Sequence, residues 1–360
     1  CRAPAFLSRI RSFVDETAKV WCRRQAAGRC GGMLDGSRRA LLVLVVLCAA
    51  ATCLSQDPEG TKGNVLVLGS GGLVGRSLVA LLEKEGYHIL HVRNREHIDL
   101  RVPGALDVFN STRVDYCFFL ACEVGGSKFI ESSEQDTQVG IIDSNLRIYQ
   151  TVLPYLNARA IPFAFTSSYL QGTENSYGVV KRLGEQWVRN LNGLGRTLRL
   201  WNVYGAEAIG PKSHVLSDWA QQCAARHQAA SLTDGTEERQ FVHVEDVSAA
   251  LLTSMLHHHS LHTTSDVSSG EWVDMRAAAA ALEAAADHSC AIHFTHTAAA
   301  YRARLSPDMH STLHQHWKPA VSLHQGCRML LEEYRRRLHC ETQDAFCSAE
   351  ANKLGSSEEL

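Results

Sequence analysis

The 360-residue sequence predicts an α/β fold built on a doubly wound parallel sheet, and three observations carry that prediction. From Asn64 onward, strand-length apolar runs alternate with runs of helical periodicity. Two of the apolar runs, residues 114–121 (VDYCFFLA) and 161–166 (IPFAFT), are scarcely interrupted. The first strand-to-helix junction is rich in glycine. Strands alternating with helices build parallel β-α-β units, and continuous apolar strands suit a sheet covered on both faces. In such a sheet the ligand lies beyond the carboxyl ends of the strands.

Residues 64–77 read NVLVLGSGGLVGRS. The aliphatic run stops at Gly69, and the amphipathic run RSLVALLEKEG follows Gly75. Gly69 allows a sharp turn, Gly72 lets backbone approach a pyrophosphate, and Gly75 lets the helix pack closely on the strand. The phosphates then sit at the helix's positive N-terminus, beside Leu73 and Val74. This is a Rossmann-type junction, and a dinucleotide is its expected ligand. The second strand, residues 87–92, ends in RNREHIDLR. An acidic residue there binds the ribose 2′-hydroxyl of NAD, whereas an arginine accommodates the 2′-phosphate of NADP. Arg93 holds the position and Arg95 is close by, which favours NADP and leaves NAD open. Asp99 is placed either to accept from the adenine amine or to serve as a turn residue.

Residues 141–153 carry apolar side chains at helical spacing, with Asn145 on the turn shared by Leu146 and Tyr149. The strand at 161–166 runs into Ser167 and Ser168. Ser176 is expected to cap a helix bearing Tyr177 and Lys181, four residues apart and so on one face. A tyrosine, with a reference pKa of about 10, is a poor base at neutral pH, and a lysine cation one turn away favours the phenolate. The lysine can also hold a nicotinamide ribose. A serine hydroxyl hydrogen-bonds the substrate oxygen while tyrosine moves its proton and a hydride passes to or from nicotinamide. A bare Y-x-x-x-K also describes a surface helix pair; the glycine turn and serine strand upstream favour the catalytic reading. Residues 197–201 form the next strand and lead into Asn202. Residues 234–247 read as a turn, a strand with Arg239 near its start, and a helix capped by Asp246. Residues 263–269 return to the main sheet, and Asp274 caps an alanine-rich helix. The triplet His257, His258 and His259 has no other ligand arranged around it and reads as a solvated helix end, not a metal site.

Taken together, GSGGLVG, FAFTSS, YGVVK, RLWNVYG, DGTEERQFVHVEDV and HWKPAVSLHQG, in that order over about residues 64–335, resemble an extended short-chain dehydrogenase/reductase of the NAD-dependent epimerase/dehydratase family. The resemblance implies a Rossmann domain over 64–205 and, over 206–335, a smaller C-terminal α/β subdomain that binds a nucleotide sugar. It also implies a homodimer. It makes Ser167, Tyr177 and Lys181 the catalytic group, has Asn145 support the site, and places Asn202 and Arg239 on the substrate's sugar and diphosphate. Arginine's planar donors suit phosphate. Within the family, ACEVGGSKFI is similar to the glycine-pair segment of the GDP-fucose synthase and GDP-mannose epimerase branch, which sets Gly125 and Gly126 beside the sugar. KSHVL is similar to the segment bearing that branch's acid histidine, so His214 would return a proton to a carbon next to a carbonyl. Two features depart from the branch. Tyr169 stands where the synthase has a catalytic cysteine, and the stretch from Ser167 to Tyr177 is short. The expectation is an NAD(P)-dependent epimerase, dehydratase or reductase of a nucleotide sugar. The alternatives are an NADP-dependent reductase of a non-nucleotide carbonyl compound and a non-catalytic dinucleotide-binding scaffold.

A net charge of −2 offers no basic field for nucleic acid. The first methionine is Met33, and from it Arg38 and Arg39 precede an apolar run of 15 residues, 40–54, with small residues at 49–51. This reads as a secretory signal peptide; a spanning helix needs about 20 residues, and an uncleaved membrane anchor is the alternative. Residues 1–32 read as an unfolded upstream extension and 336–360 as a tail. The last four residues resemble a degenerate endoplasmic-reticulum retrieval signal or are simply an acidic disordered tail; the expected location is the secretory pathway, with the endoplasmic-reticulum lumen as one place within it and the cytoplasm as the alternative. Seven cysteines follow Leu54, and no disulfide framework is expected from them; Cys340 and Cys347 are the only suspected pair.

Overall fold

The computed structural model describes residues 61–298 and 305–342. The expected signal, the upstream extension, the retrieval signal and Cys347 lie outside the described residues. In chain order the elements are β1 (Asn64–Leu68), α1 (Leu73–Lys84), β2 (His88–Val92), β3 (Tyr116–Phe119), α2 (Ser127–Ile130), α3 (Gln135–Ala158), β4 (Phe163–Ser168), α4 (Ser176–Arg189), β5 (Gly195–Leu200) and β6 (Asn202–Tyr204). There follow α5 (Val215–Arg226), β7 (Gln228–Ala230), β8 (Glu238–Arg239), β9 (Phe241–His243), α6 (Val244–Leu256), β10 (Thr264–Val267), β11 (Val273–Asp274), α7 (Met275–Ala285), β12 (Ala291–His293) and α8 (Leu323–Thr342).

The main sheet runs β2-β1-β3-β4-β5-β10, parallel throughout. Strand order reverses between β1 and β3, and that is where a doubly wound sheet opens its ligand crevice. Strands β1, β3 and β4 are buried along their whole length, as their continuous apolar runs require. Alternation splits them between two layers. Val65, Val67 and Phe118 pack with Leu78 of α1 and Val247 of α6 on one face. Leu66, Leu68 and Phe119 pack with Tyr149 of α3 and Val188 of α4 on the other. Each such side chain contributes roughly 1.5–3 kcal/mol of burial, so the apolar strands themselves fix the sheet's centre.

A second core joins Trp219 of α5, Leu282 of α7 and Leu330 of α8. Within it Cys223 and Cys290 form a disulfide, Cα atoms 5.4 Å apart. This corrects the expectation of no such bridge. Parallel pairing of β7 with β12 brings together the segments that follow each cysteine, a contact that the cysteine spacing does not show. Among the described residues no helix is long and apolar enough to cross a membrane.

Several local expectations are also corrected. Asn175, not Ser176, caps α4: its Oδ1 accepts from the Gly178 N–H at 2.7 Å. Helix α6 begins at Val244 with His243 as its cap, because the Asp246 carboxylate accepts instead from the N–H groups of Ala320 and Val321, at 2.9 and 3.0 Å. Asp274 does cap α7, accepting from the Ala277 N–H at 2.6 Å. Residues 336–342 belong to α8, and Arg337 donates to the Glu207 carbonyl at 2.8 Å. Of the histidine triplet, His258 is buried, its Nδ1 3.0 Å from the Tyr116 hydroxyl, so it is not a solvated helix end.

Candidate active site

A cleft of about 860 Å³ lies at the carboxyl ends of the strands and runs from the glycine turn to Tyr177, Trp201, Asn202 and His214. Its first wall follows β1. Gly69 has φ +90°, and a Cβ there would meet the Ala121 nitrogen at 2.9 Å. A Cβ on Gly75 would lie 2.1 Å from the Gly69 carbonyl oxygen, so only glycine lets α1 start this close to the turn. At Gly72 nothing of the protein comes nearer than 3.5 Å, and the open side belongs to the cleft. Gly72 caps α1 without a side chain, leaving the first-turn N–H groups to an anion. This cradle fits the pyrophosphate of a dinucleotide.

Beyond β2 the cleft is lined by Arg93, Asn94 and Arg95. Arg95 is ion-paired with Glu123. Asp99 also lines the cleft, but Arg101 takes its carboxylate through contacts of 2.7–3.2 Å. Those hydrogen bonds hold the Asp99 carboxyl down at about 2, so the side chain is not free for an adenine amine.

At the other end, Tyr177 lies in the first turn of α4 and is buried. The Lys181 ammonium sits 5.5 Å from the Tyr177 ring centroid and donates to the Thr166 carbonyl at 2.8 Å. Burial pushes the Tyr177 phenol well above its ordinary value. Cys122 and Tyr169 add to the rise, and a hydrogen bond with Ser168 opposes it. The expected tilt towards phenolate is thus reversed, because burial outweighs a lysine whose ammonium is committed to a carbonyl. Ser167 does not face this phenol. Its hydroxyl donates to Glu185 Oε1 at 2.7 Å, and the same carboxylate accepts from Arg199 at 2.8 and 2.7 Å. Neighbouring strand residues point to opposite faces, so Ser168 is the serine turned to Tyr177.

His214 stands at the N-terminus of α5. Its backbone N–H donates to Glu207 Oε1 at 2.7 Å, and its Nδ1 lies 3.0 Å from the same oxygen. Burial alone would raise the Glu207 carboxyl; the hydrogen bonds and charge of His214 bring it below its ordinary value. Asn145, wholly buried, stands behind the wall. Its Oδ1 accepts from the Glu123 N–H at 3.0 Å and its Nδ2 donates to the Glu123 carbonyl at 3.1 Å. Gly125 and Gly126 line the cleft, and a Cβ on Gly126 would lie 2.4 Å from the Ser213 carbonyl. Glycine there lets the loop carrying Lys212 and His214 lie flat against the wall. Asn202 also lines the cleft, 3.4 Å from the Tyr169 hydroxyl, and the Tyr169 ring stacks on Trp201 at 4.9 Å. Arg239 lies in β8 and donates to the Glu238 carbonyl at 3.1 Å; the next residue, Gln240, accepts through its carbonyl from the Asn202 N–H at 3.2 Å.

Residues 65–270 match the family model described as the NAD dependent epimerase/dehydratase family. The chain belongs to that family. The NAD-dependent epimerase/dehydratase family comprises NAD(P)-dependent enzymes of nucleotide sugars. Over 172 residues the chain is 26% identical to UDP-glucuronic acid decarboxylase 1 of Arabidopsis thaliana, covering 46% of this chain and only 39% of that relative. Over 320 residues it is 25% identical to probable GDP-L-fucose synthase 1 of Oryza sativa subsp. japonica, covering 79% of this chain and 96% of that one. A GDP-6-OMe-4-keto-L-xylo-heptose reductase from C. jejuni shares the fold, with a TM-score of 0.65 at 19% identity, covering 76% of this chain and 98% of that one.

Within this family frame, sequence reasoning passed over Glu123, Glu207, Lys212 and the orientation of Ser168. Glu123 had a visible signal, since it is the one charge in ACEVGG at a strand end. Glu207 meets His214 only seven residues along the chain, in a stretch without periodic signal, whereas Lys212 meets Glu123 from 89 residues away, a pairing that only the fold makes.

Proposed function

We propose that the chain is an NAD(P)-dependent oxidoreductase of a nucleotide-activated sugar, with Tyr177 as its proton-exchanging residue. The observation supporting this reading is the meeting of Tyr177, Ser168 and Lys181 at one end of a cleft whose other end is the glycine cradle. The turn at Gly69, Gly72 and Gly75 and the start of α1 would hold the pyrophosphate, Arg93 and Arg95 a 2′-phosphate, and Lys181 the nicotinamide ribose. When bound, the dinucleotide supplies or takes up the hydride. The chain's own residues handle the proton. Burial keeps the Tyr177 phenol protonated, which suits it to donate to a sugar carbonyl oxygen as that oxygen gains charge. Ser168 hydrogen-bonds the same oxygen, and the Lys181 cation stabilises the phenolate left behind. His214, oriented by Glu207, can exchange a proton with a carbon next to the carbonyl. With Tyr169 in place of a cysteine acid, reduction or a single epimerisation fits better than epimerisation at two carbons.

The test is turnover of GDP- and UDP-sugars by the wild type and by Tyr177→Phe, together with dinucleotide binding. Turnover should fall by about 10²–10⁴-fold in the variant, with dinucleotide affinity kept. Equal turnover would remove Tyr177 from the reaction, and failure of every nucleoside diphosphate to bind would remove the substrate class. Mass spectrometry of the co-purifying cofactor decides NADP against NAD. We also infer a working place in the secretory pathway, a reading supported by the Cys223–Cys290 disulfide, since such bridges persist in oxidising compartments.

A further inference from the structure

Helix α8 lies beyond residues 65–270, the stretch that matches the family model, yet it reaches the wall of the cleft. Leu330 and Leu331 anchor it in the core that also holds Trp219 of α5. Two side chains further along α8 extend to Glu207. The buried Tyr334 hydroxyl donates to the Glu207 carbonyl at 3.0 Å and accepts from the Glu207 N–H at 3.3 Å. Arg337 donates to the same carbonyl at 2.8 Å, its guanidinium 5.2 Å from the Tyr334 ring centroid. The backbone of Glu207 is thus fixed by α8.

The Glu207 carboxylate turns the other way, to His214. Oε1 accepts from the His214 backbone N–H, and the ring's Nδ1 lies 3.0 and 3.1 Å from the two carboxylate oxygens. The Glu207 side chain is 12% exposed and that of His214 36%, so the carboxylate is covered while the imidazole keeps an open edge on the cleft. An ionised carboxylate can only accept. The proton of a neutral His214 ring therefore sits on Nδ1, and the Nε2 lone pair is left for the cleft.

Resting on the reading of His214 as a proton-exchanging group, we propose that Glu207 is the positioning residue of that histidine. Its carboxylate holds the proton on Nδ1 so that Nε2 exchanges a proton with the substrate carbon, and Tyr334 and Arg337 of α8 hold Glu207 in place. When Nε2 takes the proton, the C–H bond pair passes into the enolate and the ring becomes an imidazolium facing the Glu207 charge. Return of the proton to the carbon restores the neutral ring with its Nδ1–H.

Two measurements on the whole protein test this. Nitrogen-15 NMR of histidine-labelled protein reads the tautomer, with the His214 signal identified by its loss in His214→Asn. The wild type and Glu207→Gln, whose amide oxygen still accepts, should carry the proton on Nδ1, and Glu207→Leu should not. The second measurement is deuterium wash-in from heavy water at the carbon next to the carbonyl of GDP- and UDP-linked keto-sugars, with hydride transfer from NADPH followed alongside. Relative to hydride transfer, wash-in should fall about tenfold or more in Glu207→Leu, part of the usual worth of a general acid–base group. Glu207→Gln should recover part of that loss, and Tyr334→Phe should lose a few-fold. A Glu207→Leu protein with the wild-type tautomer, or with wild-type wash-in, overturns the proposal. Should that variant fail to fold, unchanged wash-in in both Glu207→Gln and Tyr334→Phe overturns it as well. If the wild type shows the Nδ1 proton but no wash-in from any keto-sugar, the proton exchange read for His214 itself fails, and the assignment of Glu207 with it.

Discussion

Two adjacent serines at the end of β4 turn to opposite faces of the strand. The Ser167 hydroxyl belongs to a buried network with Glu185 and Arg199, whereas Ser168 faces the Tyr177 phenol. Ser168→Ala should therefore lower kcat by about 10²-fold, the usual effect of removing one oxyanion donor, with dinucleotide affinity unchanged. Ser167→Ala should leave kcat within a few-fold and remove about 1 kcal/mol of stability, because Glu185 keeps its arginine. Steady-state kinetics and urea melts on both variants separate the two roles. The sequence made the serine pair legible but not which member faces the tyrosine, since a strand's phase is set by its neighbours. His258 was illegible for a similar reason: its partner Tyr116 lies 142 residues away. Burial, reinforced by the Arg196 charge and opposed by a hydrogen bond to the Gly193 backbone, pulls His258 down to about 4. An unfolded histidine titrates near 6.5. The folded state thus resists the proton, so stability is complete above pH 6.5 and declines as pH falls towards 4, by about 2–3 kcal/mol in all. Urea midpoints measured between pH 7.5 and 4 should show that slope, and His258→Asn, which can accept from Tyr116 without titrating, should flatten it. A slope unchanged in the variant would assign the pH dependence to other groups.

Among the elements, the β1-turn-α1 unit was the most legible, because its chemistry is local: three glycines, one strand before them and one helix after. The structure gives these glycines different physical duties. A Cβ at Gly75 meets backbone at 2.1 Å, which cannot yield, while a Cβ at Gly72 has ordinary clearance and faces the cleft. Gly75→Ala should lower both the melting temperature and dinucleotide affinity, with overpacking costing about 1–3 kcal/mol or more. Gly72→Ala should leave the melting temperature near that of the wild type and weaken dinucleotide binding alone. Thermal melts with and without NADPH tell them apart, and equal loss of stability in both would contradict this division. Helix starts were less legible. Asn175 and Ser176 are both good capping residues, and only the path of the chain after β4 selects Asn175. Asp246 looked like a cap, but its carboxylate serves Ala320 and Val321, a segment more than seventy residues away.

At the scale of the whole described body, the parallel sheet and its cleft followed from the sequence, whereas the packing around α5, α7 and α8 did not. Short strands such as β7, β8 and β12 carry almost no periodic signal, so the union of Cys223 with Cys290 emerges only from tertiary contacts. The disulfide closes a stretch of 67 residues, and removing a bridge of that kind generally costs about 2–4 kcal/mol. Cys223→Ser combined with Cys290→Ser should lower the melting temperature measurably, and peptide mapping without reductant should recover the two cysteines joined. The bridge also bears on where the protein works, because a reducing cytosol would leave both thiols free. A second marker is independent of it: Asn110, exposed and followed by Ser111 and Thr112, forms an acceptor sequence for N-glycosylation. In cells, the full-length chain should carry a glycan that endoglycosidase removes and that Asn110→Gln abolishes, together with the joined cysteines. A tagged chain found in the cytosol, unglycosylated and with both thiols alkylated, would reject the secretory location without bearing on Tyr177, Ser168 and Lys181, which lie in β4 and α4 and not in the bridged elements.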